Sequence, residues 1–163
     1  MDQVLIRAYY HLHMTDDPVV WTSIFLEQMK VVEDSGLLNQ LGLLDIVAIT
    51  QDDDRNNMLV NLCQTYPIKI NVTLVKNKFA NDTEMMYNRE TSNSHTEDLT
   101  LKRIYDDSFK HDDKILYFHT KGTTSYASNL TPHNIHKHKQ YHYWRDFMNW
   151  AVIENWQLCE NAL

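Results

Sequence analysis

Four consecutive residues able to bind an anion follow the short apolar run at 115–118. They are His119, Thr120, Lys121 and Gly122. If the backbone stays extended through this point, the side chains of His119 and Lys121 lie on the same side of the strand. An imidazole and an ammonium group placed together suit a phosphate or a diphosphate, and Gly122 permits a sharp turn or a close approach of the ligand. The alternative interpretation is that polar residues simply terminate a buried strand.

A histidine-rich stretch and an acidic run are weaker candidates, both for metal binding. Only His138 and His142 of the histidine-rich stretch have helical i,i+4 spacing, and no glutamate stands between them as in HExxH zinc sites. A solvated, histidine-rich start of a helix is the favoured interpretation. The acidic run QDDD (51–54) could bind Mg²⁺ or Mn²⁺, but capping of the following helix explains it as well and is favoured. The histidines concerned are His133, His136, His138 and His142.

Composition argues against several classes of function. The net charge of -7 argues against a broad surface for nucleic acid. The chain has three glycines and neither a GxGxxG nor a Walker A motif, which disfavours NAD-dependent hydride transfer and P-loop ATP chemistry. It has no GxSxG motif for nucleophilic catalysis either. A phosphate-binding site in this chain would therefore use side chains and the N-termini of helices.

The cysteines and the N-terminal residues predict a cytoplasmic location. Cys63 and Cys159 lie far apart and belong to no disulfide or zinc motif, which predicts free thiols in a reducing compartment. The N-terminal apolar run is short and is flanked or interrupted by Asp2 and Arg7, so it does not resemble a signal peptide. No stretch approaches the length of a transmembrane helix.

Alternating strand and helix patterns define the elements that must position the candidate residues. Regular alternation of this kind predicts an α/β fold, here a Rossmann-like three-layer α/β/α arrangement with a mostly parallel sheet of about four strands. The predicted strands are 4–10, 45–50, 68–75 and 114–118, the third of them near a sheet edge. The predicted helices run from Pro18 to Gly36, over 55–66, from Thr96 onward, and over 137–161.

Helical spacing also predicts the side of each helix that packs against the sheet. In the second helix, Met58 and Leu59 are expected to point inward together with Leu62 and Cys63. In the third, the shared face is Leu101, Ile104, Tyr105 and Ser108. In the last, the apolar side consists of Trp144, Phe147, Met148, Ala151, Val152 and Cys159.

Ligands of parallel α/β sheets bind beyond the carboxyl ends of the strands, where the strand order reverses. This rule turns the predicted fold into a set of candidate positions. Besides His119–Gly122, the strand ends nominate five residues as candidates for nucleotide binding: Tyr10, His11, Gln51, Asp52 and Asn77.

Three segments of the chain resemble a group of glycosyltransferase-like proteins of bacteria and large viruses, related to the GT-A nucleotide-sugar transferases. The resemblance implies that residues 1–163 form a single GT-A-like domain, the nucleotide-binding half, with a nucleotide-sugar donor and a saccharide acceptor. It also implies truncation at the C-terminus, because GT-A chains continue into acceptor-binding elements. The segments are AYYHLH with EDSGLL, TEDLTLKRIYDDS, and ILYFHTKG followed by YWRDFMNWAVIENWQLCENAL.

The same resemblance marks a departure at the fourth strand. In GT-A enzymes this strand usually ends in Asp-x-Asp, which holds a divalent cation on the diphosphate, whereas here His119-Thr120-Lys121 stands in its place. We therefore expect Lys121 to contact the diphosphate, with His119 as a hydrogen-bond donor or sugar contact and Arg145 assisting. The sequence predicts a site without a metal ion, and none of these residues is predicted to be a metal ligand. The alternative is a site that uses Mn²⁺ or Mg²⁺ as a cofactor. The alternative function is a non-catalytic module of the same fold that binds a nucleotide or a sugar.

Overall fold

The fold is built on a four-stranded, all-parallel sheet in the order β3-β2-β1-β4. The computed structural model describes residues 6–15, 17–50, 53–76, 96–111, 114–120 and 135–162. The sheet confirms the predicted α/β class, and the third predicted strand does lie at an edge. The strands are β1 (Ile6–His13), β2 (Leu41–Thr50), β3 (Ile70–Lys76) and β4 (Lys114–His119).

Helices cover both faces of the sheet and begin close to the predicted positions. Asp17 caps the first helix by accepting a hydrogen bond from the Val19 amide at 2.9 Å, and Pro18 occupies its first turn. Gly36 follows this helix with a φ of 75°, a conformation that favours glycine. The helices are α1 (Pro18–Asp34), α2 (Asp53–Cys63), α3 (Thr96–Ser108), α4 (Ile135–Met148) and α5 (Trp156–Asn161), with a π-helical segment (Asn149–Glu154) between the last two.

One face of the sheet is apolar and carries the core. Tyr10 and Phe118 project from this face, and their rings stack 4.5 Å apart. Phe25 of α1 packs on Tyr10 at 5.9 Å, and Trp21 of the same helix is fully buried. Leu59 from α2 and Ile153 from the π-helical segment complete this side. Burial of these large side chains is the main stabilising contribution of the layer.

The opposite face of the sheet carries several polar side chains, and α3 packs on it through polar side chains of its own. The prediction that Leu101 and Tyr105 share the inward face was wrong, since these side chains are 46% and 64% exposed. Helical periodicity identified the apolar side of α3 correctly, but the strands beneath the helix present hydrogen-bonding groups, so the polar side turns inward. The contacts are Glu97 with Tyr117, Thr100 with His11, Arg103 with Asp45, and Asp107 with Tyr9.

Only part of the predicted apolar side of the C-terminal helices faces the core: Val152 packs against it as predicted. Trp144 and Phe147 are more than half exposed and Cys159 is exposed, so their placement on the packed side was wrong. The buried residues are instead Arg145, Asn149, Ile153 and Trp156. These buried residues themselves recur at helical spacing, so the sequence analysis erred in the choice of side and not in the period; Trp144 and Phe147 both precede the π-helical segment.

Met58 of α2 was predicted to point inward, and this was wrong. Its side chain is 42% exposed, whereas Leu59 beside it is fully buried. Among the helices that the structure describes, none has the length and apolar character needed to cross a membrane.

Candidate functional site

The strand order reverses between β1 and β4. From β1 the chain proceeds through α1 to β2 on one side, while β4 lies against the other side of β1. The two strands are paired in register, with His11 of β1 opposite His119 of β4. Their carboxyl ends therefore lie at the crevice position where ligands of open α/β sheets bind. His11 and His119 stand side by side there, and their role in binding stays a prediction.

Thr120 ties the end of β4 to the end of β1. Its backbone amide donates a hydrogen bond to the carbonyl oxygen of His11 at 3.0 Å, and its hydroxyl oxygen accepts one from the backbone amide of His13, also at 3.0 Å. Thr120 is buried at 6% exposure. These bonds fix the end of β4 against the end of β1.

Glu97, in the first turn of α3, brings a carboxylate to the same crevice. The Tyr117 hydroxyl donates a hydrogen bond to Glu97 Oε1 at 2.6 Å, and His119 Nδ1 lies 3.8 Å from the same oxygen. The Tyr117 and His119 rings are stacked with centroids 5.9 Å apart. Burial, followed by the bond to Glu97, raises the pKa of Tyr117, so its hydroxyl remains a donor near neutral pH. The Glu97 side chain is 47% exposed and therefore accessible to a ligand.

His11 is buried beneath this group and is neutral at pH 7. Its Nδ1 lies 2.9 Å from the hydroxyl oxygen of Thr100, which is fully buried on α3. Burial lowers the pKa of His11 to about 4, and the nearby Glu97 only partly opposes this. His11 therefore joins the sheet to α3 and is not a cationic ligand for phosphate.

The burial of His11 predicts a loss of stability in mild acid. The unfolded chain binds a proton on His11 near pH 6.5 but the folded chain only near pH 4. The free energy of unfolding therefore falls as the pH drops between these values, by up to roughly 3 kcal/mol at about 1.4 kcal/mol per pKa unit. Urea unfolding at a series of pH values measures it.

The matched variants are His11→Asn and His111→Asn. In His11→Asn the side chain can still bond to Thr100 but does not titrate, so the His11 contribution to the slope between pH 6.5 and about 4 should disappear. His111 is exposed, and its substitution controls for the loss of a histidine side chain at a position that does not pack against the sheet. Equal slopes in wild type and His11→Asn would contradict the assignment.

Two predicted site residues lie on the other face of the sheet. Tyr10 is fully buried in the core, and its hydroxyl donates to Gln28 Oε1 at 2.7 Å. Arg145 is 5% exposed, and its Nε lies 3.2 Å from Glu27 Oε1 on α1. Neither side chain presents a surface to a ligand in this structure. Their neighbour Gln28 does touch the site, because its amide nitrogen donates to the His119 carbonyl oxygen at 3.2 Å.

The other predicted site residues, Lys121, Gly122, Gln51, Asp52 and Asn77, lie outside the described residues. Conversely, the sequence prediction passed over Tyr117 and Thr100. Tyr117 stands two residues before His119 and so shares its face of the strand. Thr100 follows Glu97 by three residues and so shares its side of the helix. Both spacings were visible, but neither indicates a site until the position of α3 is known.

The described side chains at this crevice suit hydrogen bonding to hydroxyl groups better than metal binding. Glu97 supplies a carboxylate and His119 an imidazole, whereas Mg²⁺ and Mn²⁺ are held mainly by oxygen ligands. Within the described ranges, no three His, Cys, Asp or Glu side chains are arranged to hold a metal ion.

Comparisons with protein-family models, with curated proteins and with solved structures found no match to this chain.

Proposed function

We propose that the chain is a glycosyltransferase that uses a nucleotide-sugar donor, with the donor diphosphate at the carboxyl ends of β1 and β4. The proposal is carried by one observation. The sheet reverses its strand order beside the end of β4, where His119 is the last strand residue and Thr120 and Lys121 follow it in the sequence. The resemblance of the ILYFHTKG segment to GT-A-like proteins supplies the class of reaction.

In this proposal the residues at the end of β4, together with Glu97 of α3, contact different parts of the donor. The ammonium group of Lys121 stabilises the charge that develops on the leaving diphosphate, a task that a divalent cation performs in many transferases. His119 donates a hydrogen bond to the diphosphate or to the sugar, and the Glu97 carboxylate accepts one from a sugar hydroxyl. Arg145 is left out, because Glu27 holds its guanidinium on the opposite face.

Binding of nucleoside diphosphates tests the proposal. We expect one member of a panel of nucleoside diphosphates to raise the melting temperature, and we expect EDTA to leave that rise unchanged because the charge is supplied by Lys121. Lys121→Ala should abolish the rise. The control is Lys102→Ala, since Lys102 is an exposed lysine of α3 whose side chain bonds to Asp106. Strict dependence on Mn²⁺, or unchanged binding by Lys121→Ala, would count against the proposal.

A non-catalytic binding module is the second candidate. It is favoured by the absence of a carboxylate pair in the His119-Thr120-Lys121 sequence that ends β4. Both candidates predict binding of a nucleoside diphosphate, but only the transferase predicts slow hydrolysis of the donor to free sugar. Measurement of donor turnover by the purified chain therefore separates them, and Lys121→Ala is the control for a contaminating hydrolase.

A further inference from the structure

Strand β3 lies at one edge of the four-stranded sheet. It pairs with β2 on one side, and on its outer side no backbone partner is found within the described residues. Edge strands are commonly protected from pairing by proline, by inward-pointing charges or by bulges. The sequence INVTLVK has none of these before Lys76, and β3 runs for seven residues without a register shift against β2. Such a strand offers a row of backbone donors and acceptors to another strand.

Apolar side chains beside this edge are exposed. Leu74 of β3 is 40% exposed, and Val60 of α2 is 37% exposed. A groove of about 400 Å³ opens beside the strand on the α2 face of the sheet, lined by Val60, Tyr66, Ile70 and Val72 among others. A second groove of about 380 Å³ lies on the α3 face, where Thr73 and Val75 share the lining with charged side chains such as those of Lys102 and Asp106. An added strand would place alternate side chains over the two grooves.

We propose that β3 pairs antiparallel with β3 of a second copy of this chain, about a twofold axis at Thr73. Self-pairing of this kind uses the same surface on both subunits, as a twofold interface requires. It joins the two sheets into one continuous sheet and gives the outer backbone groups of β3 their hydrogen-bond partners.

The sequence of β3 is self-complementary about that axis. On the α2 face, Val72 stands opposite Leu74 of the partner copy, so apolar side chains meet. On the α3 face, Thr73 stands opposite its own copy, and Asn71 stands opposite Val75. No like charges of β3 face each other across the axis, and a Thr–Thr pair is one of the cross-strand pairs that stabilise antiparallel sheets. Because the axis is perpendicular to the sheet, each face continues into the same face of the partner.

The oligomeric state gives the first test. We expect light scattering at millimolar chain concentration to give twice the chain mass of 19.4 kDa. Leu74→Lys should return the mass to that of one chain, since it places two lysines beside the axis, while circular dichroism stays unchanged at this exposed position. Leu158→Lys is the matched control, because Leu158 is 67% exposed on α5 and should leave the dimer intact. A monomeric wild type, or a dimer that survives Leu74→Lys, would overturn the proposal.

Cysteine cross-linking tests the register. In a Cys159→Ser background, which removes the exposed native thiol, Thr73→Cys should form an intermolecular disulfide on mild oxidation. Residues directly opposite across antiparallel strands have Cα atoms about 4.5–5.5 Å apart, which a disulfide can span. Val75→Cys shares the same face, but its two copies would be offset by about 13 Å along the strands, so it should not cross-link. Equal cross-linking of the two variants would contradict the twofold axis at Thr73.

Discussion

Arg103→Met is expected to lower the free energy of unfolding by about 3 kcal/mol, because it leaves the Asp45 carboxylate buried without its counter-charge. Asp45 is 1% exposed in the middle of β2, and Arg103 Nη2 of α3 lies 2.8 Å from its Oδ1. The two atoms are close without a well-aligned hydrogen bond, so the stabilisation is mainly electrostatic. Burial raises the pKa of Asp45, and the nearby Arg103 is the first of the groups that oppose this. Urea unfolding measures the loss.

Two further variants show whether the loss of stability comes from the unpaired charge of the buried Asp45 carboxylate. Asp45→Asn combined with Arg103→Met should recover most of the loss, because neither charge then remains. Lys102→Met is the matched control on the same helix. Lys102 pairs with Asp106 at 2.7 Å, but both side chains are largely exposed, so its loss should matter by less than about 1 kcal/mol. Equal destabilisation by Arg103→Met and Lys102→Met would refute the assignment.

Gln28→Leu should destabilise the chain by a similar amount, about 3 kcal/mol, because three buried groups lose their partner together. Gln28 is 1% exposed on α1. Its Oε1 accepts the Tyr10 hydroxyl hydrogen bond at 2.7 Å, while its Nε2 donates to Asn149 Oδ1 at 2.9 Å and to the His119 carbonyl oxygen at 3.2 Å. Leucine fills the space but offers none of these bonds.

The control for this variant is Gln157→Leu, the same substitution at an exposed position on α5. It should change the free energy of unfolding by less than about 0.5 kcal/mol. A triple variant should regain part of the loss: Tyr10→Phe, Gln28→Leu, Asn149→Leu. It removes the Tyr10 hydroxyl and the Asn149 amide that Gln28→Leu leaves without a partner, so that only the His119 carbonyl oxygen still lacks its hydrogen bond to Gln28. If Gln28→Leu unfolds at the same urea concentration as wild type, the proposed bonding role of Gln28 is wrong.

The order of strands and helices was predictable because short sequence patterns, such as helix caps and apolar runs, mark where each element begins and ends. Asp17 and Pro18 mark the start of α1, Gly36 marks its end, and the apolar run of β4 stops at His119. Each of these signals acts within a few residues of the structure that it specifies. The strand-end rule nominated His11 and His119 from element order alone, and the structure places them side by side where the strand order reverses.

The face of α3 was not predictable, because it depends on residues far away in the sequence. The inward side chains Glu97, Thr100, Arg103 and Asp107 recur at helical spacing, yet a polar stripe ordinarily faces solvent. It turns inward here since the β1 and β2 residues beneath it, Asp45 among them, are themselves polar. The approach of Glu97 to His119 follows from this placement and was missed for the same reason.

The polar pairing of α3 has a mechanical consequence. Apolar contacts tolerate a small slide of a helix over a sheet, but hydrogen bonds and ion pairs hold only at defined separations. Asp107 engages Tyr9 at one end of α3, and Glu97 engages Tyr117 at the other, about 15 Å away along the helix axis. Hydrogen bonds therefore hold α3 at both ends and oppose its movement along the sheet. The bond of Asp107 to Tyr9 thus helps to set the distance between the Glu97 carboxylate and His119.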